Sequence, residues 1–120
     1  GMGRQLSAHF NEDEFRCRHC RQLPAGGVAP ALIAKLEQLR ERVGKPLVIV
    51  SGYRCPEHNR AVGGAPKSQH LLGTAADVSA SDIGVDVLAQ AAERTGFGGI
   101  GKYHRQRFVH VDVRPGRARW

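Results

Sequence analysis

Arg107-Phe108-Val109-His110-Val111-Asp112-Val113 alternates without a break. Successive side chains of a β-strand point to opposite faces, so Val109, Val111 and Val113 share one face while Phe108, His110 and Asp112 share the other. The stretch therefore reads as a strand whose second face carries an imidazole and a carboxylate two positions apart. Upstream, Gly98-Gly99-Ile100-Gly101 enters another strand. Before it, a helix starting at Asp82 or Asp86 carries Val87, Leu88, Ala91 and Ala92 and closes at Gly96. Thr74 to Ala80 reads as a short strand, and the β-branched run Leu47-Val48-Ile49-Val50 as a short buried one. Pro30 opens a helix, where its missing N–H costs nothing; Leu32, Ile33, Leu36, Leu39 and Val43 line one side, and Gly44 ends it. Helices packed on a small, mostly antiparallel sheet make an α+β domain.

At the N-terminal end, Asn11 can cap a short helix while Glu14 reaches back to the cap, and Phe10 and Phe15 occupy the positions of a hydrophobic staple. Leu23 to Ala29 is a loop. Cys55 to Ser68, polar and interrupted by Pro56, Gly63, Gly64 and Pro66, reads as a long loop, which in a small domain is usually functional.

The 120 residues are expected to form a single domain, 1–120. An apolar fraction of 41% with 24% charged residues argues for a packed core rather than a disordered chain. The longest apolar runs fall far short of the roughly 20 residues of a membrane span. Gly1 ahead of Met2 reads as an expression scar, and no charged-then-apolar leader follows. Export is thus expected either without a signal peptide or after the removal of one. Lys and Arg exceed Asp and Glu by 18 to 11, a net +7 that favours polyanionic partners such as acidic cell-wall polymers. The basic residues are spread along the chain and aromatics make up only 6%, so no nucleic-acid partner is expected.

Cys17-Arg18-His19-Cys20 is half of a zinc ribbon, with Cys55 as a distant third thiol. Two readings stay open: thiols that pack or cross-link an N-terminal turn, or a second metal site using the three cysteines or a histidine. The stronger chemistry lies elsewhere. His70 and Asp77 are seven apart, about 10 Å along a continuous helix and too far to share an ion. Gly73 and the small residues Thr74, Ala75 and Ala76 permit a loop turning into a strand, which lets both converge with His110. Two imidazoles and a carboxylate are a catalytic zinc set that leaves a fourth position for water. Spacing alone equally allows two separately hydrogen-bonded histidines and a loop aspartate.

Ser51-Gly52-Tyr53-Arg54, then Ser68-x-His70-x6-Asp77, then Phe108-Val109-His110-Val111-Asp112 resemble the zinc peptidases of the D-alanyl-D-alanine carboxypeptidase and hedgehog-like group. Leu6-Ser7-x-His9-Phe10 with Glu14-Phe15-x-Cys17 is similar to the small phage and bacterial branch of that group. The resemblance implies the hedgehog/DD-peptidase-like fold and hydrolysis of peptide bonds in peptidoglycan stem peptides or cross-links, at the cell wall or in the periplasm. It implies one catalytic Zn2+ on His70, Asp77 and His110. It also implies Arg54 as the cation for a substrate carboxylate or the developing oxyanion, a role that suits a rigid, permanently charged guanidinium. Ser68 is expected to orient the loop or a ligand, and Tyr53 to contact substrate or belong to the core.

Many relatives place a carboxylate three residues before the last zinc histidine; here that residue is Arg107, which cannot act as a base. Asp112 is the first choice for the proton acceptor or for orienting a ligand, with an ion pair to a nearby arginine as its plainer reading. His104 is second and Glu57 third. His9, His19 and His58 read as surface or structural. The competing function is a non-catalytic, zinc-stabilised module that binds cell-wall peptides.

Overall fold

The computed structural model describes residues 3–120, so the expectation about Gly1 lies outside the described residues. Three α-helices pack on a five-stranded sheet: α1 (Pro30–Val43), α2 (Pro56–Ala61), α3 (Val85–Thr95), β1 (Leu47–Ser51), β2 (Ala75–Ala80), β3 (Gly99–Tyr103), β4 (Phe108–Asp112) and β5 (Ala118–Arg119). The strand order is β1-β2-β4-β3-β5. All pairings are antiparallel except that of β3 with β5, which is parallel. The fold is α+β, as the sequence pattern predicts.

The alternation in β4 separates two layers. Val109 and Val111 join Ala76, Val78, Ile100, Leu47 and Ile49 in one core, onto which α1 sets Leu32, Ile33, Leu36 and Leu39 and α3 sets Leu88, Ala89 and Ala92. His110 and Asp112 face the other way. The register pairs Asp77 with His110 and His110 with Gly101, so Asp77 and His110 stand side by side on this second face, next to a glycine on the third strand. Directly opposite residues bring their Cβ atoms to about 5 Å. The site thus follows from strand parity and register.

The start of the chain behaves as the pattern predicts. Asn11 and Glu14 form a capping box on the 3-10 turn Glu12–Phe15, and the Phe10 and Phe15 rings meet edge to face at 6.2 Å. α1 ends at Gly44, whose φ of 68° is left-handed backbone that glycine adopts without steric cost.

Three readings need correction, and one strand is new. Leu47–Ser51 is an edge strand, not a buried one: Val48 is 57% exposed and Val50 42%. Cys55 to Ser68 is not all loop, because Cys55 caps α2, accepting the His58 N–H on its sulfur, with Pro56 in the first turn. Neither Asp82 nor Asp86 caps α3; Gly84 holds the cap position, Asp86 lies in the first turn, and Asp82 adopts φ 63° in the preceding turn. A fifth strand comes after β4, too short to show as a periodic pattern. Among the described residues, no helix is long and apolar enough to cross a membrane.

Candidate metal centre and groove

A β-bulge opens the site. β1 pairs Ile49 with Val78 and Ser51 with Asp77, which leaves Val50 as an extra residue. Bulges bend a strand and re-aim the residues beyond the bend. Here the chain turns so that the Gly52 carbonyl accepts a hydrogen bond from His70 Nδ1 at 2.6 Å, and the Arg54 N–H donates to the His70 carbonyl at 3.2 Å. His70 sits in the 3-10 turn Gln69–Leu72, capped by Ser68, and is buried.

His70, Asp77 and His110 meet. His70 Nε2 and His110 Nδ1 each lie 3.1 Å from Asp77 Oδ1 and 3.2 Å from each other. The outward nitrogens decide what faces inward. A carbonyl only accepts, so His70 Nδ1 carries the proton toward Gly52. His110 Nε2 lies 2.7 Å from Asp112 Oδ2. Hydrogen bonds from His110 and Arg114 outweigh the burial that opposes ionising Asp112, and hold its carboxyl well below the usual carboxylate range. The carboxylate therefore fixes the His110 proton on Nε2. As neutral imidazoles, both rings then turn a lone pair toward Asp77, so three acceptors converge with no donor among them. Such an arrangement needs an added proton or a cation, and donors around a tetrahedral zinc stand about 3.3 Å apart. The residues fit a metal ion.

Without the ion, the same crowding appears as shifted acidities. Burial opposes charge on Asp77, yet the adjoining His110 and His70 rings bring it down to about 2. Burial likewise disfavours the His110 cation, but Asp112 and Asp77 together raise it.

Asp112 lies behind His110, away from the centre. It is fully buried, and Arg114 braces it through Nε to Oδ1 at 2.8 Å, Nη2 to Oδ2 at 2.6 Å and its own N–H to Oδ1 at 3.1 Å. It touches the site through His110 Nε2, and the expected arginine partner is present as well. A methyl group at Gly99, opposite Asp112 in β3, would come within 2.2 Å of this carboxylate. The bare backbone at Gly99 is thus what admits a buried carboxylate on the neighbouring strand.

His70, Asp77 and His110 open on a groove of about 670 Å³ that Arg54 also lines. Arg54 Nη2 donates to Ser68 Oγ at 3.3 Å, whereas its buried Nε has no hydrogen-bond partner among the described residues. Burial lowers the Arg54 pKa, and nearby Asp77 works in the opposite direction. A buried, unsatisfied guanidinium N–H beside the centre is a ready donor for an anion.

Other expected residues lie elsewhere. Tyr53 is half-buried and outside the groove lining, its N–H bound to the Phe15 carbonyl. His104 is exposed and holds Asp86 at 2.9 Å, and Glu57 is exposed beside His19. Arg107 occupies the hairpin turn at φ 64° and lines a different cleft with Val48 and Asp82. Of the minor histidines, His9 binds Glu37, whereas His58 reaches the groove. Sequence reasoning missed Arg114, the Gly52 carbonyl and Trp120, whose ring lies 4.9 Å from that of His110. The one signal in the chain was Gly99-x-Gly101: a side chain at Gly101 would strike the Trp120 ring.

The peptidase M15 family model matches residues 8–112. This chain belongs to that family. Among curated M15 relatives, it is 36% identical over 97 residues to the peptidoglycan L,D-endopeptidase MepK of Escherichia coli (strain K12), covering 75% of this chain and 53% of that protein. It is 44% identical over 64 residues to the zinc D-Ala-D-Ala carboxypeptidase of Streptomyces albus G, covering 52% of this chain and 25% of that protein. The chain thus spans about half the length of the MepK relative it matches, or less in the second case. The family places this α+β fold among metallopeptidases, and His70, Asp77 and His110 form a buried group that could hold a metal ion.

Proposed function

We propose that this M15 domain is a zinc-dependent peptidase that cleaves peptide bonds in peptidoglycan stem peptides or cross-links, of DD-carboxypeptidase or endopeptidase type, acting at the cell wall or in the periplasm. The observation that carries the reading is the inward convergence of His70 Nε2, Asp77 Oδ1 and His110 Nδ1 beside the unpaired Arg54 Nε. The names of the relatives, one a zinc carboxypeptidase and one a peptidoglycan endopeptidase, support the metal and the substrate class.

A zinc ion bound there would polarise a peptide carbonyl and lower the pKa of water to about 7. The chain's own residues do the rest. The Gly52 carbonyl and Asp112 hold the two imidazoles in the tautomers that present lone pairs. Ser68 Oγ accepts from both Arg54 Nη2 and the His70 N–H, which ties the position of the guanidinium to that of a ligand. Arg54 Nε then binds a substrate carboxylate or the oxyanion of the transition state. Arg18, Lys67 and Arg114 also line the groove, where Asp77 is the one carboxylate, so an acidic peptide suits it.

A second reading, a wall-peptide-binding module, draws on the proton acceptor. His104 is held by Asp86, Arg107 lies on another cleft, and Asp112 is braced behind His110. Incubation with defined muropeptides, read by release of new amino groups and by fragment mass, separates the two. Cleavage abolished by chelation and by His70→Ala supports the enzyme. Full zinc occupancy with peptide binding and no cleavage supports the module.

A further inference from the structure

A second cluster of soft ligands lies outside the three-residue centre. Cys17, Cys20 and Cys55 are all free thiols, and their sulfurs lie within 4.8 Å of one another. They come from two separate segments: the turn after Phe15, and the cap of α2. Backbone amides point at the sulfurs, Cys55 N to Cys17 Sγ and His58 N to Cys55 Sγ, each at 3.4 Å. The turn itself is closed by Arg21 N to the Cys17 carbonyl at 2.9 Å, with Arg21 at φ 64°.

A disulfide uses two sulfurs and leaves the third without a role. Apolar packing accounts for buried Cys17 but not for the half-exposed Cys20 and Cys55. Three convergent thiols with N–H groups aimed at their sulfurs suit a thiophilic cation, because such hydrogen bonds stabilise the thiolate form that binds metal. The sequence around them reads Cys17-x-x-Cys20 and Cys55-x-x-His58, which supplies the four donors of a closed Cys3His site. His58 is half-buried on the first turn of α2, its backbone N–H donates to Cys55 Sγ at 3.4 Å, and its ring stacks on that of His19, which lies between Cys17 and Cys20 in the chain.

We propose that Cys17, Cys20 and Cys55 hold a second, structural zinc ion, with His58 as its fourth ligand. The ion joins the N-terminal segment to residues 52–58, the stretch that carries the Gly52 carbonyl and Arg54. It therefore fixes the segment that orients His70. The proposal stands independently of peptidase activity.

Metal content of the whole protein, measured after gel filtration without chelator, tests it. Two zinc ions per chain are expected in the parent, one in Cys20→Ser and one in His70→Ala. With cobalt(II) in place of zinc, the parent and His70→Ala show a thiolate-to-cobalt charge-transfer band, and Cys20→Ser loses it. Denatured, unreduced parent should expose three reactive thiols. A single reactive thiol means a disulfide and overturns the proposal, as does one ion per parent chain that vanishes in His70→Ala. Should Cys20→Ser fail to fold, the His70→Ala spectrum and the parent thiol count still decide. His58→Ala should bind the second ion at least tenfold more weakly; parent-like affinity removes His58 from the ligand set.

Discussion

Replacing Asp112 with Asn tests how the His110 lone pair is aimed. Oδ2 accepts from His110 Nε2 and Arg114 Nη2, and Oδ1 accepts from Arg114 Nε and the Arg114 amide. Whichever position the new NH2 group takes, it faces two donors. Next to His110 it drives the imidazole to the other tautomer, with Nδ1–H aimed into the centre. Loss of such an orienting partner typically weakens a metal site about 10- to 100-fold. The buried ion pair is lost as well, which costs roughly 3–5 kcal/mol. The lower end applies, because the Arg114 side chain is 30% exposed and can be re-solvated. With an unfolding entropy of about 0.25 kcal/mol/K for a chain of this size, about 3 kcal/mol corresponds to a melting point roughly 12 °C lower. Zinc affinity is read by competition with a chromogenic chelator, and stability by thermal unfolding of the metal-free protein. The thiolate site is common to parent and variant and cancels in the comparison. Parent-like zinc affinity with a melting point shifted by under 2 °C or so would refute the orienting role.

Arg54→Ala should slow muropeptide cleavage by about 100- to 1000-fold while metal content stays at the parent value; loss of metal along with activity would assign Arg54 to the centre's structure instead. In the metal-free protein, the stability advantage of the parent over His110→Gln should be larger at pH 6 than at pH 8.5. The raised His110 pKa contributes stability that is complete below its unfolded value of about 6.5 and is lost as pH rises through the higher folded value. Asp77 adds stability above its unfolded value of about 3.9, which is lost as pH falls toward about 2. Zinc needs the neutral imidazole, so the melting-point gain on adding zinc should grow with pH; a constant gain would contradict this coupling. Gly99→Ala should cost about 1–3 kcal/mol and weaken zinc binding, since the buried Asp112 carboxylate cannot move aside. Gly101→Ala meets only the half-exposed Trp120, so it should leave zinc affinity unchanged and red-shift the tryptophan emission. Equal effects from the two variants would contradict this account of β3.

Local pattern was enough for much of the fold. The alternation of Phe108–Asp112 set the two faces of β4, and helical spacing set the apolar side of α1. The capping box at Asn11 and the stop at Gly44 are decided within a few residues. A sulfur as cap hid α2, and a two-residue strand such as β5 carries no period at all. Within the site, parity already put His110 and Asp112 on one face.

Which ring nitrogen of His110 turns inward could not be read from the chain, because that depends on Arg114 and Gly99 enclosing Asp112 from two sides. Nor could the separation of His104 from the groove, since Asp86 captures it from α3. The gathering of Cys17, Cys20 and Cys55 likewise depends on a contact across thirty-eight positions. Residue identity and short spacing state which donors exist and which way each strand residue faces. Packing between elements decides which donors meet, because only long-range contacts bring their atoms within bonding distance.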